Sequence, residues 1–213
     1  ERLVEEFHII IKLNFSNHLL LVVEFLNLIR KNTKEIHHII RGSSGSSLVC
    51  YCLGITNIDP VKYNICFSRF LNDKRTSMPD IDMDFPYNRR EEVFELLNKE
   101  YPNKIARISN HIMYKQKSAM REALREKGYR KFVSKYTNIE REFSEWKDDL
   151  KEIQQNLMGK FRCYSLHCGG IVYYPDGIPI DNILDKKNNS ILKQVSFNKN
   201  SISKNKNFKI DIL

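Results

Sequence analysis

The sequence predicts a mixed α+β protein, and three observations predict it. Apolar residues recur at helical spacing through the first 32 positions. At Asp80-Ile81-Asp82-Met83-Asp84-Phe85, charged and apolar residues alternate with the two-residue period of a strand. After Gly159 the strand signal returns, following a basic stretch whose apolar residues are again spread as in helices.

The elements follow in order. Leu3, Phe7, Ile10 and Ile11 mark a first helix, residues 14–17 a turn, and residues 19–29 a buried helix. The run Arg41-Gly42-Ser43-Ser44-Gly45-Ser46-Ser47 is a small-residue loop, and Leu48-Val49-Cys50-Tyr51-Cys52-Leu53 behind it reads as a core helix. Free amides at the start of such a helix suit a triphosphate, and Arg41 adds charge. No G-K-[ST] follows, so this is not a Walker loop. Phe67, Phe70 and Leu71 form a short apolar segment around Arg69, and Met78-Pro79 leads into the aspartate strand. Pro86 stops that strand; Asn88, with Glu91 three residues on, predicts a capped helix buried through Val93, Leu96, Leu97 and Tyr101.

Residues 104–160 hold 14 Lys/Arg against 8 Asp/Glu and no proline, and read as a basic helical module. Its apolar positions include Met113, Met120, Leu124, Phe132, Phe143, Trp146, Leu150 and Ile153. Gly169 to Tyr174 is a strand, residues 181–207 an Asn/Lys/Ser-rich loop, and Phe208-Lys209-Ile210-Asp211-Ile212 a last strand with Lys209 and Asp211 on one face.

Composition narrows the partners. A net charge of +9 and a pI near 9.2 suit a polyanion, nucleic acid before membrane. The longest apolar run, residues 18–28, is broken by Glu24 and Asn27 and is too short to span a bilayer, so no membrane association is expected. Five cysteines without a framework, and no secretory leader, point to a reducing, cytoplasmic setting. Cys163, His167 and Cys168 lack the second ligand pair of a zinc site. The chain begins at Glu1 and ends at Leu213 inside a strand, as a piece of a longer protein does.

Three carboxylates on one strand face repel each other, and a bound hard cation relieves that repulsion. Two chemistries compete. Asp80, Asp82, Asp84 and Glu91 fall at positions one, three, five and twelve of a calcium loop, but Phe85 stands where such a loop needs glycine and Pro86 follows. A nucleotidyl-transfer site instead needs carboxylates from two strands around two metal ions, with cations for the triphosphate. Asp80, Asp82, Asp211, the Gly/Ser loop, Arg69 and Lys209 offer those parts.

The blocks around these residues resemble the α subunit of bacterial DNA polymerase III, the C-family replicative polymerases. Residues 41–60 are similar to G-R-G-S-x-x-G-S-L-V-x-Y-x-L-x-I-T-x-x-D-P. Arg69-Phe70-Leu71-Asn72 resembles R-F-L-N, and Ser77-Met78-Pro79-Asp80-Ile81-Asp82-Met83-Asp84-Phe85 resembles S-M-P-D-x-D-x-D-F. His167-Cys168-Gly169-Gly170-Ile171-Val172 is similar to H-x-x-G-V-V, and Lys209-Ile210-Asp211-Ile212-Leu213 to K-F-D-F-L. The match is collinear over nearly the whole chain. Two departures stand out: Ile39-Ile40 replaces G-P before the loop, and where T-F-G-T-M-x-x-K-x-x-x-R-D is expected after Ile108 the chain reads Ser109-Asn110-His111-Ile112-Met113, with only Lys117 and Arg121 keeping the K-x-x-x-R spacing.

The resemblance implies a polymerase β-like nucleotidyltransferase palm, mixed sheet with helices, interrupted by a helical thumb. The palm falls at residues 1–110 and 161–213 and the thumb at 111–160. It implies Asp80, Asp82 and Asp211 as catalytic metal ligands for two Mg2+ (or Mn2+) ions, with Asp84 supporting. Arg41, Gly42, Ser43, Arg69 and Lys209 are then triphosphate contacts, and Lys115, Lys117, Arg121 and Arg125 DNA contacts. The implied partners are primer-template DNA, dNTP and, through regions outside this chain, a sliding clamp and other replisome proteins. The implied activity is template-directed DNA synthesis, with this fragment alone weak or inactive. The alternative is a degenerate palm that binds DNA without catalysis. His167 is expected either near the site or packed in the core.

Overall fold

The computed structural model describes residues 1–33, 36–72, 74, 81–129, 147–184, 191–205 and 207–213. Asp80, Ser77 to Pro79, Phe132, Phe143 and Trp146 therefore lie outside the described residues. The chain divides into two compact units, one of Glu1–Asn110 with Leu166–Leu213 and one of His111–Ser165.

The first unit opens with α1 (Arg2–Lys12) and α2 (Ser16–Asn32), which meet at 106° through Asn14, whose φ of 59° is left-handed. The spacing of His18, Leu19, Val22, Phe25, Leu26 and Ile29 gives α2 one buried stripe. Its centre is Phe25, with no exposed surface and ring contacts to Tyr101, Tyr173 and Phe208. Among the described residues no single helix is long and apolar enough to cross a membrane; α1 and α2 qualify only as a bent pair.

Next come β1 (Ile39–Arg41), a 3-10 turn over Gly42–Ser46, α3 (Leu48–Cys52), a second 3-10 turn over Phe67–Arg69, and β2 (Asp82–Asp84). Ile81, Met83 and Phe85 point into the core at 0%, 0% and 7% exposure, as strand alternation requires. After Pro86 the chain makes a 3-10 turn, Tyr87–Arg89, before α4 (Arg90–Glu100). The helix therefore starts later than the Asn88 cap predicts: Arg89 holds the N-cap position without a side-chain cap bond, and its guanidinium bonds Glu92 instead, at 2.7 Å.

The segment read as the start of a helical module begins with a strand, β3 (Ile105–Met113). Its first five residues are all buried, so no alternation marks it in the sequence. The strand β4 (Phe161–Tyr173) runs thirteen residues, well beyond the predicted six at its end. Residues 181–207 are not a plain loop either. They carry β5 (Ile183–Leu184), β6 (Lys193–Val195) and α7 (Lys199–Lys204), anchored by Leu192, Val195 and Ile202 at no more than 1% exposure. The last strand is β7 (Phe208–Ile212).

Among the described residues these strands form one seven-stranded sheet in the order β1-β2-β7-β4-β3-β6-β5. The pairs β2/β7 and β3/β6 are parallel; β1/β2, β4/β7 and β5/β6 are antiparallel. Parallel pairing of β2 with β7 brings together strands about 130 residues apart and sets the site.

In the second unit α5 (Gln116–Glu126) packs on α6 (Lys147–Leu157). Ala123, Leu124 and Leu150 are their buried contact, flanked by Met120, Tyr129 and Ile153. Gln154 Nε2 donates to Gln116 O at 2.9 Å.

Candidate active site

Asp82 on β2 and Asp211 on β7 are register partners in the parallel pairing. Two carboxylates so placed repel each other unless a cation sits with them. Asp211 is 8% exposed. Its Oδ2 accepts a 2.8 Å bond from Lys209 Nζ, while its Oδ1 is buried with no hydrogen-bond partner among the described residues. A buried carboxylate oxygen in that state is costly, and a hard cation is the natural group to fill the place.

His167 is brought to the site, its Nδ1 4.0 Å from Asp211 Oδ1. That nitrogen already accepts from the Gly170 amide at 2.8 Å, with the Gly169 amide at 3.4 Å. It is therefore the unprotonated nitrogen of a neutral ring and has no proton for Asp211. Burial pushes the His167 pKa down, against the opposing pull of the Asp211 carboxylate.

Asp84 lies two residues along β2 and does not join this pair. Its Oδ2 takes a 2.6 Å ion pair from Arg41 Nε, with both side chains partly in water. Arg41 is thus brought to β2 and held on Asp84. The Gly/Ser turn comes next to Asp82: a Cβ on Gly42, whose φ is +80°, would lie 3.4 Å from Asp82 Oδ2. Only glycine suits that left-handed approach. Ser43 is held from behind, its carbonyl accepting from Ser46 Oγ at 2.6 Å. Arg69, exposed, ends the 3-10 turn that packs against the Gly42–Ser46 turn.

The amides that open α3 are not free for a ligand, contrary to the sequence expectation. Leu48 N and Val49 N each donate at 3.0 Å to the buried carboxylate of Glu6, and Cys50 N donates to Ser47 Oγ at 3.1 Å. An anion from the chain itself occupies the positive end of this short helix. What the turn can offer a phosphate lies at its front, at Gly42 and Ser43.

In the second unit Lys115, Lys117 and Arg125 are exposed and Arg121 half-buried. Lys117, Arg121 and Arg125 repeat every four residues along α5 and share a face. Arg125 is paired with Glu122 at 2.6 Å.

Sequence reasoning missed two supports. One is Glu6 with Arg2. The other is Arg107, 3% exposed, whose Nη2 donates to the carbonyls of His167 and Cys168 at 2.7 and 3.0 Å and whose guanidinium lies over the Phe94 ring. Both sit inside apolar patterns with nothing local to mark them. Among the described residues no three His, Cys, Asp or Glu side chains group as a metal site, and Asp80 lies outside those residues. Cys163, His167 and Cys168 form no such group.

A family model described as the bacterial DNA polymerase III alpha NTPase domain matches residues 1–213, the entire chain. The chain belongs to the bacterial DNA polymerase III alpha family. A DNA polymerase III subunit alpha of Aquifex aeolicus is 41% identical over 129 residues, covering 60% of this chain and 11% of that protein. An error-prone DNA polymerase of Corynebacterium glutamicum is 35% identical over 168 residues, 78% of this chain and 16% of its own length. A DNA polymerase III subunit alpha of Staphylococcus aureus is 33% identical over 202 residues, 81% and 18% respectively. The chain thus spans between 11% and 18% of these family members.

Proposed function

We propose that this chain is the palm and thumb of a template-directed DNA polymerase that transfers nucleotidyl groups from dNTPs to a primer 3′-hydroxyl in DNA replication. The observation that carries the reading is the register pairing of Asp82 with Asp211, one Asp211 oxygen unsatisfied, with the Gly42 turn against Asp82. The palm is residues 1–110 and 161–213, of the polymerase β-like nucleotidyltransferase type, and the thumb is 111–160.

The donors fit hard divalent ions: all are carboxylate oxygens, and the like charges need neutralising. Asp82 and Asp211, with Asp80, would hold two Mg2+ (or Mn2+) ions, and Asp84 would support the site by holding Arg41. Such ions would supply charge neutralisation for the phosphates and the leaving pyrophosphate and would make the primer hydroxyl more acidic. Gly42 and Ser43 present backbone and hydroxyl groups to the triphosphate. Arg41 and Arg69 add positive charge around it. Lys209, held 2.8 Å from Asp211, would add its ammonium charge beside the phosphates. His167 keeps a neutral ring beside Asp211 and excludes water from it. Lys115, Lys117, Arg121 and Arg125 track the phosphates of primer-template DNA, which makes binding salt-sensitive. A sliding clamp and other replisome proteins bind elsewhere in the longer protein, in the bacterial cytoplasm.

The test is primer extension by the full-length parent protein with Mg2+ and dNTPs, beside its Asp82→Asn variant. The wild type extends and the variant does not. A variant that extends normally removes Asp82 from the site, and a wild type that binds DNA without extending it makes the palm a structural module.

A further inference from the structure

Glu6 is 1% exposed, yet its carboxylate is fully satisfied. Its Oε1 accepts from Leu48 N at 3.0 Å and Arg2 Nε at 2.9 Å; its Oε2 accepts from Ser47 Oγ at 2.8 Å and Val49 N at 3.0 Å. Arg2, one turn away on α1, also reaches the turn itself, with Nη2 donating to Ser46 O at 2.8 Å. Ser46 Oγ in turn donates to Ser43 O at 2.6 Å. An unbroken set of bonds therefore runs from α1 through Ser46 to Ser43, beside the Gly42 that abuts Asp82.

We infer that the Arg2–Glu6 pair is a positioning brace for the nucleotide: it fixes the back of the Gly/Ser turn so that Ser43 faces the triphosphate. The inference rests on the polymerase reading and deepens it. A buried carboxylate with four donors is rigid, because loosening any donor leaves charge or an amide unsatisfied in a dry place. It also fills the end of α3, so a triphosphate has only the front of the turn to bind. Neither residue touches substrate, and both act through Ser46 and Ser43.

A brace of this kind governs how tightly the triphosphate is held in ground state and transition state alike. It therefore moves the dNTP KM and leaves kcat alone. A purely structural role behaves differently: it lowers Tm and the amount of active enzyme and leaves the dNTP KM where it was. The experiment is steady-state primer extension by the full-length parent carrying Glu6→Gln, which keeps the shape and removes the charge. The expected result is a dNTP KM raised about tenfold, with the primer-template KM unchanged and kcat within about twofold. Ser47→Ala, which removes one of the four donors, is expected to raise the same KM by about threefold and carries the test if Glu6→Gln does not fold. An unchanged dNTP KM in folded Glu6→Gln, or a fall in kcat alone, overturns the inference. Loss of extension in Asp82→Asn alongside that outcome leaves the polymerase reading intact. A wild type that cannot extend primers overturns both.

Discussion

Lys209 and Asp211 lock together at 2.8 Å on one face of β7, with side chains only 7% and 10% exposed. The ammonium holds one carboxylate oxygen, and the other oxygen has no hydrogen-bond partner among the described residues. Removing Lys209 strands a buried charge. Lys209→Met is expected to cost about 3 kcal/mol in urea denaturation of this chain. Millimolar Mg2+ should return more stability to the variant than it adds to the wild type, since the cation takes over the lost neutralisation. Equal gains for the two proteins would argue against cation binding at Asp211.

Gly169 and Gly170 are expected to fail in different ways. A Cβ on Gly169 would run into the carbonyl oxygen of Ile212 and lie 2.6 Å from a Leu213 methyl carbon, so β4 and β7 must separate. On Gly170 it would meet His167 Nδ1 at 2.8 Å and Asp211 Oδ1 at 3.1 Å, both side-chain atoms. Gly169→Ala should therefore lower unfolding stability by about 3 kcal/mol, the upper end of overpacking costs. Gly170→Ala should lose less stability but most of the primer extension of the parent protein. The pair of denaturation curves and one extension assay decide it.

His38 predicts a pH dependence. It is buried against Phe85, and its Nε2 lies 2.9 Å from Ile55 O, to which the neutral ring donates. Burial depresses its pKa below the ordinary 6.5, and the Arg30 charge adds to that. Below pH 6.5 the unfolded chain takes up a proton that the folded chain refuses. Stability is thus complete above that pH and falls as pH drops toward the lowered folded value, by at most about 1.4 kcal/mol per pH unit. His167, also depressed by burial, slopes the same way, so the difference between wild type and His38→Gln isolates the His38 part. Parallel curves for the two proteins from pH 7.5 to 5.5 would contradict it.

The α2 stripe and the inward face of Ile81, Met83 and Phe85 were legible in the sequence, because both depend on spacing within one element. β3 was not, because burial on both faces erases alternation, and Arg107 within it is as buried as its apolar neighbours. β5, β6 and α7 were hidden by Asn, Lys and Ser around three scattered apolar anchors. At the site, alternation puts Asp82 and Asp84 on one face of β2, but their different surroundings depend on distant chain: Asp211 beside one, Arg41 beside the other. Glu6 was invisible for the same reason. Three of its four donors, Ser47 Oγ and the Leu48 and Val49 amides, lie more than 40 residues away, and the Arg2 pair four residues back looks like an ordinary helix-surface ion pair.

The proposed roles of Asp211 and Asp84 differ most in what each loses as an amide. Single-turnover primer extension by the full-length parent, comparing Asp211→Asn with Asp84→Asn at saturating Mg2+ and dNTP, tests that difference directly. Asp211→Asn should slow the step about a thousandfold, equivalent to roughly 4 kcal/mol of lost transition-state stabilisation, and Asp84→Asn should stay within about tenfold of wild type. An Asp211→Asn variant that extends at the wild-type rate, or an Asp84→Asn variant slowed about a thousandfold, would remove Asp211 from the metal site or put Asp84 into it.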